Sequence, residues 1–368
     1  MRAAAYAVLR RDPGHRDAHL RLYEIEQMLG TPVAAIAHLR AALRSSPLVA
    51  GPAGPSAACR VLALTRIAPW AANVPLELVI DEAQIALTRL YLDGSESLDE
   101  LRAQVPPHDV LFNTIAESDD ARPALELAAR LIEALGGDGI NLPRAVATLR
   151  RDDVAARFAR SATVVAPPVV RADRDAVAVR EIAAPLVIRP VGSQAGNAFE
   201  RIDDDGARDA YLARYPAAAY YVTPFVPYQS ADGFYRKYRI IFVDGKPYAC
   251  HLAISPRWMI HYYNAPMREH AWMRDEEAAF LDDLGRVFDG PRAAALAEIA
   301  AAVPLGYFGI DAAIAPDGRV LLFEADAAML VHGTDPVDLF AYKQAAYARI
   351  KAALTGLLLR DYGSVSGR

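Results

Sequence analysis

The sequence predicts an α/β protein, partly α+β in arrangement, and three observations carry that expectation. Between residues 58 and 139, apolar runs of strand length alternate with amphipathic helical stretches, the pattern of a small parallel sheet. From about 160 to 250, strand-forming segments dominate. Two later turn signals, "VDGK" (243–246) and "PDG" (316–318), each join two apolar runs and predict hairpins.

Residues 1 to 47 read as helices. "RDP" (11–13) recurs as "SSP" (45–47), which sets Pro13 and Pro47 34 residues apart, the tetratricopeptide period. Ala35 and Ala42 stand where such a repeat packs its helices closely, while Tyr23 stands where it usually holds a small residue. A plain helical hairpin fits the same residues. One and a half repeats cannot bury a continuous face, so residues 1–50 are expected to dock on the rest of the chain, a partner protein or a second subunit, for example in a homodimer.

The Gly/Pro-rich "VAGPAGPSAAC" (49–59) marks a domain boundary. A second unit, 58–139, follows: strand "RVLALTRIAP", helix and strand in 75–94, strand "DVLFNTIAE" (109–117), and helix "ARPALELAARLIEAL" (121–135) stopped by Gly136-Gly137. The third unit, 140–360, turns helical after Pro143, then gives strands "TVVAPPVVR", "PLVIRP", "NAFERI" and "AYYVTPFVP". The hairpin "RKYRIIFVD"/"KPYACHLAI", a helical stretch 268–302 and the hairpin "GYFGIDAAIAPDGRVLLFE" come next. Asp335 is expected to cap a last helix with Pro336 at its first position, burying Leu339, Tyr342, Ala346, Ile350, Ala353 and Leu357 on one face.

The composition narrows the function. The chain has 368 residues, 53% hydrophobic and 23% charged, with a net charge of -5, which disfavours a nucleic-acid binder. No apolar run reaches the length of a membrane span, and the first residues meet charge too soon for a secretory signal, so a cytoplasmic location is expected. The two cysteines, Cys59 and Cys250, make no disulfide framework or metal spacing. Lysine is scarce: Lys237, Lys246, Lys343 and Lys351 are the only four among 40 basic residues.

The chemistry gathers at "VLLFEADAAML" (320–330). An apolar strand ends in Glu324 and Asp326, which point to one face because successive side chains alternate. If the turn spans Pro316 to Arg319, Asp311 lies opposite Glu324; a tighter turn needs a bulge to restore that pairing. Three converging carboxylates are tolerable around a divalent cation, and hard oxygens suit Mg²⁺. A solvated strand end fits the spacing equally well. Upstream, "PLVIRPVGSQAGNAFERI" (185–202) is strand, loop and strand, with Arg189 ending the first strand and Gly192, Ser193, Gln194 and Gly196 in a loop able to cover a phosphate chain.

The strings "LVIRPVGSQAGNAFE", "YYVTPFVP", "KYRIIFVDGK" and "YFGIDAAIAPDGRVLLFEAD", in this order, resemble the ATP-grasp superfamily of carboxylate–amine ligases over residues 140 to 335. The resemblance implies an ATP-grasp fold preceded by a small α/β domain, nearest to the branch that adds amino acids to peptide or protein ends. It implies ATP and Mg²⁺ as cofactors, with Asp311, Glu324 and Asp326 at the metal. Asp326 replaces the family's Asn, and Arg189 its phosphate-binding Lys. Arg150 or Arg151 matches a second such Lys; Ser193, Gln194 and Gly196 belong to the phosphate loop. Thr223, Phe225 and Val226 match the adenine hinge. Arg239 matches the arginine that stabilises the transferring phosphoryl group, and Lys237, His251 and Asn264 are candidate substrate contacts, Lys237 also catalytic. The aromatic stretch "WMIHYYNA" (258–265) is core or pocket lining. The implied reaction joins a small-molecule or peptide carboxylate to an amine with release of ADP. Phosphorylation of a hydroxyl, or ATP binding without turnover, fits the same residues.

Overall fold

The structure is a computed structural model, and it describes residues 1–52, 57–177, 184–193, 196–261, 264–331, 333 and 335–365. Three helices open the chain: α1 (Arg2–Arg11), α2 (Arg16–Met28) and α3 (Pro32–Ala42). Ala35 and Ala42 are buried, so α2 and α3 approach closely. Glu26, also buried, accepts from Arg2 (2.8 Å) and Thr31 (2.6 Å), which ties the three helices together. Tyr23 is buried as well, in one cluster with Ala35, Leu39, Val49, Ile67 and Tyr91. Its hydroxyl donates to the Ala68 carbonyl at 3.2 Å. The helices therefore dock on the chain's own first sheet through the residue that departs from the repeat pattern.

That sheet has the order β1-β3-β2-β4. β2 (Cys59–Arg66) runs parallel to β3 (Ile85–Leu92) and to β4 (Val110–Asn113), as the alternating pattern predicts. β1 (Leu48–Ala50) adds an antiparallel edge just before the Gly/Pro break. α4 (Leu76–Val79) links β2 to β3, α5 (Leu98–Gln104) links β3 to β4, and α6 (Arg122–Ala134) follows. β4 is buried along its whole length, which explains its unbroken apolar run. Short helices α7 (Pro143–Val146) and α8 (Arg151–Arg157) come next.

The expected strand 163–171 divides. β5 (Val164–Val165) joins the central sheet beside β13, whereas β6 (Val170–Asp173) enters another sheet. Pro167-Pro168 lies at the break, where missing N–H groups stop any ladder. The second sheet, β6-β9-β7-β8, is built from β6, β7 (Leu186–Pro190), β8 (Glu200–Ile202) and β9 (Ala219–Pro224). α9 (Arg174–Val177) follows β6. α10 (Asp205–Arg214), which the sequence reading passed over, packs Tyr211 and Leu212 onto this sheet. Asp204 caps α10 by accepting from Ala207 N at 2.8 Å.

The central sheet, β11-β10-β12-β13-β5, carries both predicted hairpins. β10 (Tyr235–Val243) turns into β11 (Lys246–Ser255) through Asp244 and Gly245, both at positive φ (51° and 71°), the two-residue turn expected of "DG". β12 (Tyr307–Ile314) turns into β13 (Val320–Asp326). α11 (Ala271–Asp282) and α12 (Gly290–Ala302) cover the sheet. α13 (Val337–Phe340) precedes the long α14 (Lys343–Val365). Ile350, Leu354 and Leu358 of α14 pack with Val61 of β2 and Ile241 of β10, so this helix joins the first and central sheets.

The end of the chain corrects one expectation. There is no single helix capped by Asp335: the chain breaks after α13, and Leu339 is exposed. The Asp335 carboxylate instead accepts from Lys343 Nζ at 2.8 Å. A buried ammonium needs a counter-charge more than a helix end needs a cap.

Candidate active site

The register of the β12–β13 hairpin builds the site. Ala315 N donates to Arg319 O (2.9 Å), a turn tighter than the Pro316–Arg319 connection, and Ile314 pairs with Val320. On that register Phe323 would face Asp311. The ladder slips by one residue past Ala312, and Asp311 pairs with Glu324. The bulge extrudes Phe323, whose ring meets Tyr228 edge-on at 5.1 Å. A second bulge at the same level shifts β11 against β10 between Arg239 and Ile240. The result is one row across three strands: Arg239, Asp311 and Glu324.

Charges interlock along this row. Asp311 Oδ1 accepts from Arg239 Nε and Oδ2 from Lys237 Nζ, both at 2.8 Å. Arg239 Nη2 reaches Oδ2 at 3.0 Å, and its Nη1 donates to Leu330 O at 3.1 Å. Burial pushes the Asp311 carboxyl up, but Arg239 and Lys237 more than offset that and hold it well below the usual carboxylate range. Glu324 accepts from Arg151 at 2.6 Å, and that cation outweighs burial and lowers its pKa too. Among the described residues, Asp326 accepts only the Ala328 N–H, at 2.8 Å. Burial, reinforced by Glu324, pushes it up to about 6.

A cavity of about 420 Å³ lies over the row, between the central and second sheets. Lys237, Arg239, Asp311, Glu324 and Asp326 form one wall; Arg189, Gly196, Thr223, Phe225 and Val226 lie on the other. Burial, and then the neighbouring Arg151, lowers Arg189 to about 10. Its guanidinium donates to Ser193 Oγ (3.0 Å) and to the Ser193 carbonyl, which folds the glycine loop onto the end of β7. Gly192 and Gly196 both take positive φ here, 81° and 74°. Ser193 lines a smaller adjoining cleft shared with Arg151, Arg189, Glu324 and Asp326. Gln194 lies outside the described residues.

The remaining candidates divide. Of the adjacent arginines, Arg151 enters the cavity and Arg150 does not; Arg150 pairs with Asp152 at 3.0 Å. The Phe225 N–H is committed to Pro185 O at 2.9 Å, so it is not open to a ligand as the hinge pattern implies, and Val226 N–H makes no hydrogen bond among the described residues. His251 is not in the cavity wall: it is buried against Glu277, beside Lys343. Asn264 is not there either. Its side chain accepts from His261 N (2.8 Å) and donates to Met259 O (3.2 Å), and so shapes the turn that brings Trp258, Met259, Ile260 and His261 to the cavity. Sequence reasoning also missed Ala71 and Glu117. They come from the first sheet, and only the packing of the three sheets reveals them.

Four cations (Arg151, Arg189, Lys237, Arg239) face three carboxylates (Asp311, Glu324, Asp326), a balance of +1. The donor chemistry suits Mg²⁺, which takes one or two protein carboxylates and fills its shell with phosphate oxygens and water. Among the described residues, Glu324 and Asp326 each keep one oxygen without a protein partner, and they fit such an ion. Asp311, with both oxygens taken, does not fit as it stands. Among the described residues no group of three or more His, Cys, Asp or Glu side chains is arranged to hold a metal.

No protein-family model and no curated protein matches the chain. Solved structures do resemble it. The chain is similar to D-alanine–D-alanine ligase from Bacillus anthracis, crystallised with ATP, at 11% identity and TM-score 0.49, covering 83% of this chain and 99% of that one. It is similar to an L-amino acid ligase from Bacillus licheniformis at 13% identity and TM-score 0.45, covering 80% and 74%. It is also similar to a RimK domain ATP-grasp protein from Sphaerobacter thermophilus at 14% identity and TM-score 0.44, covering 78% and 98%. No helix among the described residues is long and apolar enough to cross a membrane.

Proposed function

We propose that the protein is an ATP-grasp ligase that joins a carboxylate to an amine, on an amino acid or peptide, with release of ADP and phosphate. The observation that carries this reading is the cation surplus. Four positive side chains converge on a cavity between two sheets, beneath a glycine loop, and their balance of +1 suits a polyanion beside a second, carboxylate substrate.

In this reading the phosphate chain lies beside Gly192, Ser193 and Gly196, against Arg189 and Arg151, and the base enters the apolar end near Val226. The substrate carboxylate sits near Lys237 and Arg239. Its oxygen attacks the γ-phosphorus, the bond to the bridging oxygen breaks, and ADP leaves. The two cations offset the charge that spreads over the transferring group, and they need little reorganisation because Asp311 fixes both. The amine nitrogen then attacks the acyl phosphate, and phosphate departs. Mg²⁺, when bound, would be held by Glu324 and Asp326 and would neutralise phosphate oxygens. Trp258 and Phe225 meet edge-on at 5.5 Å and close the apolar side against water. Residues 1–50, a tetratricopeptide-like segment, and 58–139 serve as supporting domains to the catalytic unit 140–360.

The test is a survey of amino acids and short peptides with ATP and Mg²⁺. Free phosphate and ADP should appear only when an acid and an amine are both present. Phosphate retained on the product would make the protein a kinase, and nucleotide binding without turnover would make it a scaffold; either result ends the ligase reading.

A further inference from the structure

Away from the cavity, two histidines of the N-terminal helices face each other. His19 lies on α2 and His38 on α3, both half-buried. Their Nδ1 atoms are 2.9 Å apart, with ring centroids at 5.2 Å. The other nitrogen of each ring has its own partner. His19 Nε2 meets the Pro13 carbonyl at 3.0 Å, in the turn between α1 and α2. His38 Nε2 meets the Tyr6 hydroxyl of α1 at 3.3 Å, and the same hydroxyl reaches Glu26 Oε1 at 3.2 Å.

These partners fix where the protons lie. A carbonyl only accepts, so His19 Nε2 carries its hydrogen. Tyr6 has one hydrogen to give. Glu26 is a carboxylate whose pKa is lowered by Thr31 and then Arg2, and a charged acceptor holds that hydrogen more strongly than a neutral imidazole does. Tyr6 Oη is left to accept from His38 Nε2. A neutral imidazole has a single N–H. Both rings carry it on Nε2, and both Nδ1 lone pairs point into the same gap. Two lone pairs at 2.9 Å repel unless a cation lies between them. At neutral pH that cation is not a proton: burial, and then His19, outweigh Glu26 and lower the His38 pKa.

We propose that His19 and His38 form a metal site, which takes a borderline divalent cation such as Zn²⁺ through the two Nδ1 atoms. Imidazole nitrogen suits such ions and not Mg²⁺, so the site is chemically separate from the carboxylates of the cavity. Metal-bound histidines donate their second N–H to a carbonyl or a carboxylate. Pro13 serves His19 in that way, and Tyr6 relays His38 to Glu26. With Zn–N bonds of about 2.0–2.1 Å, two tetrahedral ligand atoms stand about 3.3–3.4 Å apart, so the rings part by roughly 0.5 Å to admit the ion. Both rings are half-buried, which leaves water to fill the remaining positions. The ion pins α2 to α3 and, through Tyr6, both to α1.

The test is calorimetric titration of the full chain with zinc chloride at neutral pH. The protein is first stripped with a chelator and then held in excess Mg²⁺, which fills the hard-oxygen positions of the cavity. One Zn²⁺ should bind per chain. Tyr6→Phe keeps the ring and removes the relay to Glu26, and it should weaken binding about tenfold. His19→Ala and His38→Ala should each weaken it further, with helix content in chelator checked by circular dichroism. A wild-type protein that takes up no Zn²⁺ would overturn the site. So would uptake that both alanine variants retain, because the ion would then lie elsewhere. Should an alanine variant lose its helices, Tyr6→Phe decides: an affinity equal to wild type would overturn the proton assignment on which the site rests.

Discussion

Replacing Asp311 by Asn should weaken the fold and tighten nucleotide binding at once. The Asp311 side chain is 3% exposed and spans Lys237 and Arg239, which are 16% and 14% exposed. Removing the anion leaves two largely buried cations facing each other, and breaking such a pair costs about 3–5 kcal/mol. The cavity admits water to both cations, which places the loss near ~3 kcal/mol. The site's balance rises from +1 to +2. One added unit of charge about 8 Å from a phosphate group, at an effective dielectric constant of roughly 20 to 40, is worth about 1–2 kcal/mol. That is roughly five- to thirtyfold in affinity, less at high salt. Urea unfolding measures the first quantity. Titration calorimetry with ATP in the presence of a chelator measures the second. Unaltered stability, or weaker ATP binding without metal, would refute the counter-ion role. Adding Lys237→Met should restore part of the stability, because it removes one orphaned cation.

Two further outcomes follow from buried charge. Asp326 titrates at about 6 in the folded chain against an ordinary 3.8, so the folded state holds the proton more tightly. Stability contributed by that proton is full below pH ~4 and falls as pH rises through ~6. Asp326→Asn should abolish this slope and stabilise the protein at pH 7 by up to about 3 kcal/mol, read as thermal midpoint against pH in chelator; a slope unchanged by the substitution would disprove it. Lys343 lies 3.3 Å from Glu277 and 2.8 Å from Asp335, with Tyr342 also donating to Glu277 at 2.6 Å. Lys343→Met should cost about 3–5 kcal/mol in urea unfolding, and a loss below 1 kcal/mol would show that the network is not a structural anchor.

The parts of this molecule that were legible in sequence are those governed by local period and turn chemistry. The "DG" hairpin and the parallel β2–β3–β4 pattern follow from alternation and the residues at each turn. The pairing of Asp311 with Glu324 was legible only as one of two registers, direct or bulged, and the extrusion of Phe323 that selects it was not, because the turn alone leaves the register one residue out. The fate of 163–171 was hidden for a related reason. Its residues suit a strand, but which sheet each half joins is decided by strands more than fifty residues away. Asp335 looked like a helix cap because its partner, Lys343, is recognised as a buried cation only once α11 and α14 are packed. Scarcity of lysine marked all four lysines alike; Lys237 and Lys343 each anchor a buried charge network, whereas Lys246 is exposed.

The site is assembled from features that each work against stability. Two bulges interrupt the ladders at one level, and the acids of the row are buried within reach of one another. Asp326 is held far from its ordinary pKa with a single N–H for support among the described residues. Any one of these is common enough; their convergence on one end of one hairpin is not what a stable core requires. Well-packed apolar residues at those positions would make a more stable sheet. What the arrangement does provide is a set of cations held rigid by Asp311, with their surplus charge directed into a cavity. Asp326 then has a reason to be costly. An acid kept part-protonated beside that surplus can be drawn into its charged form by a ligand that brings more positive charge, and the folding penalty it carries becomes a source of affinity.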